Sequence, residues 1–131
     1  MSLHPVLSAD ERRSLLKEGI ELFHRGELFA AHETWEKVWR STTPEPKTLL
    51  QGLIQVAAAL HQMRDLHRRE GPRRTLAKAR RNLEPYAPVA LGLDVESLLR
   101  SVDAWQDWME RQIGESPAWP QIRVVDEGEL R

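Results

Sequence analysis

The sequence predicts an all-α fold, a single-domain helical bundle with one buried central helix. Three observations predict it. Apolar residues recur at three- and four-residue steps through most of the chain. Glycines and prolines stand between these stretches, where helices stop and restart. No Val/Ile/Thr-rich alternation lies between turn signals, which argues against a sheet.

The first helix is expected over residues 9–25. Ser8 and Glu11 form a capping box, each side chain serving the other's backbone amide. Leu15, Leu16, Ile20, Leu22 and Phe23 make its stripe, and Gly26 follows as the left-handed residue that ends a helix cheaply. The second helix, over residues 28–41, carries Leu28, Ala31, Trp35, Val38 and Trp39 on one face. Thr42 with Glu45 offers another capping box before the third helix, over residues 46–69. Between Leu49 and Leu60 only Gln51, Gly52 and Gln55 interrupt its apolar surface, so it belongs at the centre of the bundle. Gly52 and Ala57-Ala58-Ala59 are small enough to let neighbours approach closely.

Gly71-Pro72 opens a fourth helix over residues 72–84, with a thin apolar face of Leu76, Ala79 and Leu83. Asp94 caps a fifth over residues 94–113, with Val95, Leu98, Leu99, Val102, Trp105, Met109 and Ile113 inward. The bundle domain is thus residues 1–113. The remaining tail, 114–131, contains Trp119, which docks on the bundle or on a second subunit.

The 131 residues suit one domain. With no cysteine, disulfides, thiolate zinc sites, iron–sulfur clusters and cysteine nucleophiles are excluded. The longest apolar run, Val56 to Leu60, is too short to span a bilayer, and no signal-peptide pattern opens the chain. A cytoplasmic protein without membrane association is expected. The formal net charge is −1, but it is unevenly spread. From Arg64 to Arg81 eight basic residues face two acids, whereas from Asp94 onward nine acids face four bases. Complementarity between two elements of one fold accounts for this. Arg73, Arg74, Lys78, Arg80 and Arg81 make a basic face that could meet a phosphate backbone. A pI near 6.5 and the lack of interleaved aromatics argue against nucleic acid.

The chemistry-bearing residues lie on the second and third helices. His32 and Glu36 are one helical turn apart at the edge of an apolar face, with Glu33 beside them. They are either two ligands of a divalent metal, an acid/base pair, or a polar network that fixes helix register. A second His at Glu36 would have made the zinc-protease signature, which is absent. A third ligand would come from the central helix, where His61 stands in line with Leu50 and Ile54. Gln51 and Gln55 are that helix's polar side chains and could orient a ligand. The metal set would be His32, Glu36 and His61; the pocket set adds Glu33, Gln51 and Gln55. His4, His24 and His67 are expected at the surface. Trp35, Trp39 and Trp105 belong to the core, and Trp108 lies off its helix's stripe, where an interface or ligand would find it.

The string Gly19-Ile20-Glu21-Leu22-Phe23, Gly26-Glu27-Leu28-Phe29-Ala30-Ala31-His32-Glu33, Trp35-Glu36 and Trp39-Arg40, with Leu50-Gln51-Gly52-Leu53-Ile54-Gln55-Val56-Ala57-Ala58-Ala59-Leu60-His61, resembles the domain of unknown function 309 family. The resemblance runs from about Gly19 to Leu83. It implies a helical bundle around a central helix, and it implies no reaction. His32, Glu33, Glu36, Gln51, Gln55 and His61 match the family's motif positions. Where that family often turns through Gly-Asn after the central helix, this chain has Leu66-His67-Arg68-Arg69-Glu70-Gly71-Pro72. Gly19, Gly26, Ala31 and Trp35 also resemble one unit of a tetratricopeptide repeat, which permits a peptide-binding groove but not a solenoid. A polar pocket between the second and third helices is therefore the leading expectation. The alternative is an interaction module for a protein partner or a second copy, through Trp108, Trp119 and the tail.

Overall fold

The structure, a computed structural model, describes residues 6–41 and 44–125. His4 and Thr42, expected at the surface and in a cap, lie outside them. Five helices follow in order, α1 (Ala9–His24), α2 (Leu28–Arg40), α3 (Lys47–Arg64), α4 (Glu70–Leu83) and α5 (Val95–Arg111). Each packs on the next along the chain, so the expected all-α bundle forms with α3 between α2 and α4. Leu49, Leu50, Leu53, Val56, Ala57, Ala59 and Leu60 of α3 are almost completely buried. Among the described residues no helix is long and apolar enough to cross a membrane.

The close approaches depend on glycine. A Cβ on Gly19 would stand 2.1 Å from Nε1 of Trp35, so α1 can lie against the indole only without a side chain there. That indole is fully buried and donates its N–H to the carbonyl of Leu16 at 3.2 Å. Gly52 does the same between α3 and α4, where a Cβ would meet Leu83 at 2.7 Å. The Ser8–Glu11 capping box holds the start of α1, and Asp94 accepts from the Ser97 amide to start α5.

Three boundaries differ from expectation, each for a local reason. α3 ends at Arg64 rather than near residue 69, because the chain turns left-handed at His67 with φ 52°. The amides of Leu66 and Arg68 bend back to the carbonyls of His61 and Gln62. α4 then begins at Glu70, with Pro72 in a first turn whose amides have no helical acceptor anyway. α5 ends at Arg111 because Gln112 is left-handed, and Ile113, expected inward, is 81% exposed. Trp39 also leaves the core. Its ring lies at the surface with the Lys47 ammonium 5.2 Å from its centroid.

A small antiparallel pair forms where no sheet is expected. β1 (Val89–Ala90) and β2 (Leu93–Asp94) are joined by Leu91 and Gly92, both at positive φ as a two-residue hairpin of this type requires. Two-residue strands are too short to show an alternation. The tail completes the ladder, with Leu93 bridging Val124 and the Asp94 amide donating to the Arg123 carbonyl. Trp119 packs on the bundle's own Phe23 and Trp105, and Ile122 is buried. The Ile122 amide donates to Nε2 of His24 at 3.0 Å. His24 is exposed, as expected, and in addition anchors the tail.

Candidate functional site

α2 and α3 each place a histidine within ring-contact distance of one aromatic side chain, Phe29. The Phe29 centroid lies 6.1 Å from that of His32 and 5.7 Å from that of His61. Phe29, His32, Ala58, His61, Gln62, Leu66 and Arg68 line a cleft of about 280 Å³. Its walls come from the facing sides of α2 and α3, and its mouth from the loop that follows α3.

Both histidines are paired with a carboxylate one helical turn on. His32 Nε2 stands 3.1 Å from Glu36, whose other oxygen accepts from Arg40 at 2.6 Å. His61 Nδ1 lies 2.8 Å from Asp65 Oδ2. The Asp65 carboxyl is held down to about 2, mainly by the Arg64 guanidinium bonded to it and then by His61. An ionised carboxylate only accepts, so it takes the Nδ1 proton of His61 and leaves Nε2 as the ring's other group. Among the described residues no hydrogen bond uses His61 Nε2 or His32 Nδ1. Gln62 adds an amide whose buried Oε1 also takes no hydrogen bond.

The six residues expected to share a pocket are divided. His32 and His61 meet at the cleft, and Glu36 supports His32 from behind. Gln55 accepts from the Asn82 amide of α4 at 2.7 Å, so it joins α3 to α4 and does not line the cleft. Glu33 is exposed and Gln51 half-buried, and neither lines it. His32 pairs with Glu36 and His61 with Asp65, two separate pairs; among the described residues no three histidine, aspartate or glutamate side chains are grouped as metal ligands. Asp65, Gln62 and Arg68 are the members that the sequence pattern missed. The four-residue spacing that relates His32 to Glu36 also relates His61 to Asp65 and would have found the first of these.

On the basic face, Arg80 bonds Asp103 of α5 at 2.6 Å and Glu84 at 2.8 Å, which raises its pKa, and Arg73 contacts Glu70. The complementarity between basic and acidic segments is realised at the Arg80–Asp103 pair. Trp108 packs edge-on against Trp105 and donates its N–H to the Gly114 carbonyl.

Residues 16–74 match the family model described as a domain of unknown function, DUF309. No curated protein matches the chain. The matched stretch contains both histidine–carboxylate pairs and the whole cleft between α2 and α3, but neither α5 nor the tail.

Proposed function

We propose that residues 16–74, a DUF309 domain, carry a small-molecule site in the cleft between α2 and α3. One observation carries this reading: two imidazoles from different helices line the same cleft, each oriented by its own carboxylate. A carboxylate-held imidazole presents a defined nitrogen, which can bond a ligand or move a proton. The Phe29 ring and Leu66 supply apolar cover, and Arg68 supplies a positive charge at the mouth. The ligand class that fits is a small molecule with an apolar or planar body, a group able to donate to the imidazoles, and an acidic substituent near Arg68. A divalent metal fits less well, because metal sites of this kind use at least three protein donors and the cleft supplies two imidazoles.

A second reading has its own support. Phe29 and Leu66 are 56% and 46% exposed at the cleft's rim, so the apolar side chain of a partner protein could seat there.

The test is a small-fragment screen followed by ¹H–¹⁵N spectra of the parent, His32→Ala and His61→Ala, with metal content measured on the same samples. Fragments that shift Phe29, His32, Ala58 and His61 together, and are lost in folded variants, support the site. Variants that instead lose stability make the pairs a structural network. Near-stoichiometric metal that disappears with His32→Ala would replace the organic ligand by a metal centre.

A further inference from the structure

A second cleft, independent of the first apart from Arg68 at its edge, lies where the end of α3, the loop after it and the end of α5 meet. We infer that it binds a small amphipathic anion, with an apolar body and a carboxylate or phosphate head group. Its volume is about 410 Å³, within the size range of small-molecule sites.

The body's place is set by Met63, Met109 and Trp108. Met109 is almost fully buried, while Met63 and Trp108 are half-buried. The Trp108 N–H is already donated to Gly114, so the indole offers the cleft apolar surface and no free donor. Methionine side chains adapt to ligands of different outline, which suits a site selective for class more than for shape.

The head group's place is set by His67, Arg68 and Arg69, all exposed along the rim. Among the described residues no acidic side chain lines the cleft, and neither Arg68 nor Arg69 makes an ion pair. Their neighbours behave differently, since Arg64 is bonded to Asp65 and Arg73 to Glu70. Two guanidinium groups without acidic partners, beside an apolar floor, complement an anion that carries an apolar tail. The loop is shaped in advance: the left-handed turn at His67 and the Arg68 amide bonded to Gln62 hold the pair beside Met63.

The experiment is an NMR titration of the full chain with octanoate and with octyl phosphate, using 1-octanol as the uncharged control and the Trp108 indole N–H as reporter. Either anion, or both, should shift Trp108, Met109 and Gln112 saturably, and octanol should bind about tenfold more weakly. The anion that binds more tightly identifies the head group. Arg69→Ala, at an exposed position outside the first cleft, should weaken the anion about tenfold and leave octanol unchanged. His32→Ala should change neither. The inference is overturned if octanol binds as well as the anions, if Arg69→Ala has no effect, if shifts fall only around Phe29 and His61, or if neither anion gives a saturable shift.

Discussion

His61 Nδ1 lies 2.8 Å from Asp65 Oδ2, the same one-turn pairing that His32 makes with Glu36 at 3.1 Å. The two pairs differ in their far ends. Asp65 is clamped by two bonds from Arg64, and Arg64 in turn donates to the Gly26 carbonyl and lies over the Trp119 ring. The first cleft is therefore linked through Asp65 and Arg64 to the loop before α2 and to the docked tail.

Asp65→Ala tests what that carboxylate does for His61. In the parent, imidazole ¹⁵N shifts should report an Nδ1-protonated ring; in the variant the two tautomers should mix. Stability should change little, since the pair is partly exposed and screened by solvent. The carboxyl is lowered in the fold, so its contribution is complete above its ordinary value of 3.8 and fades as pH falls through about 2. Unchanged ¹⁵N shifts in Asp65→Ala would remove the carboxylate from the orientation of His61.

The two close-approach glycines should not be equally sensitive. Gly19→Ala drives a methyl group into the fully buried indole of Trp35, which is fixed by its bond to Leu16. Gly52→Ala meets an aliphatic Leu83 side chain at 2.7 Å rather than a fixed ring at 2.1 Å, so less has to shift. Overpacking of this kind costs about 1–3 kcal/mol. Urea unfolding should place Gly19→Ala at or above the top of that range and Gly52→Ala below it. Equal losses would mean that Leu83 is held as rigidly as Trp35.

The fold was legible in the sequence because helical period, caps and glycine stops all act locally. The site was legible only where the same local rule applied, as at His32 and Glu36. Asp65 obeys the same spacing with His61, but it lies in the charge-crowded run from Arg64 to Arg81, where one acid does not stand out. Gln55 went to the wrong neighbour because a helix that is apolar nearly all round does not disclose which side faces α2 and which faces α4. The cleft beneath Trp108 joins a loop and a helix end far apart in the chain, and no spacing rule connects them.

Trp119→Ala should loosen more than the tail. The ring contacts Phe23 and Trp105 and donates to the Phe23 carbonyl at 3.4 Å. Truncating a large packed aromatic costs about 3 kcal/mol, near the low end of its range for a ring only partly buried. Urea unfolding should show that loss, and Arg64 should lose its aromatic contact at the same time. A loss well under 1 kcal/mol would mean the tail packs without stabilising the bundle.

The hold of the tail on the bundle should weaken in mild acid, and His24 is the reason. Its Nε2 accepts the Ile122 amide, which only the neutral ring can do, and burial lowers its pKa below 6.5. The unfolded chain then takes up a proton before the folded one does, so stability rises with pH between the lowered value and 6.5 and is lost on acidification through that same window. The bond itself contributes about 1 kcal/mol. Hydrogen exchange at the Ile122 amide, corrected for its intrinsic pH dependence, should therefore speed up several-fold between about pH 7.5 and about pH 5.5. In His24→Ala the amide should exchange fast at both values, with no step between them. A step that survives in His24→Ala would assign the pH dependence to some other group.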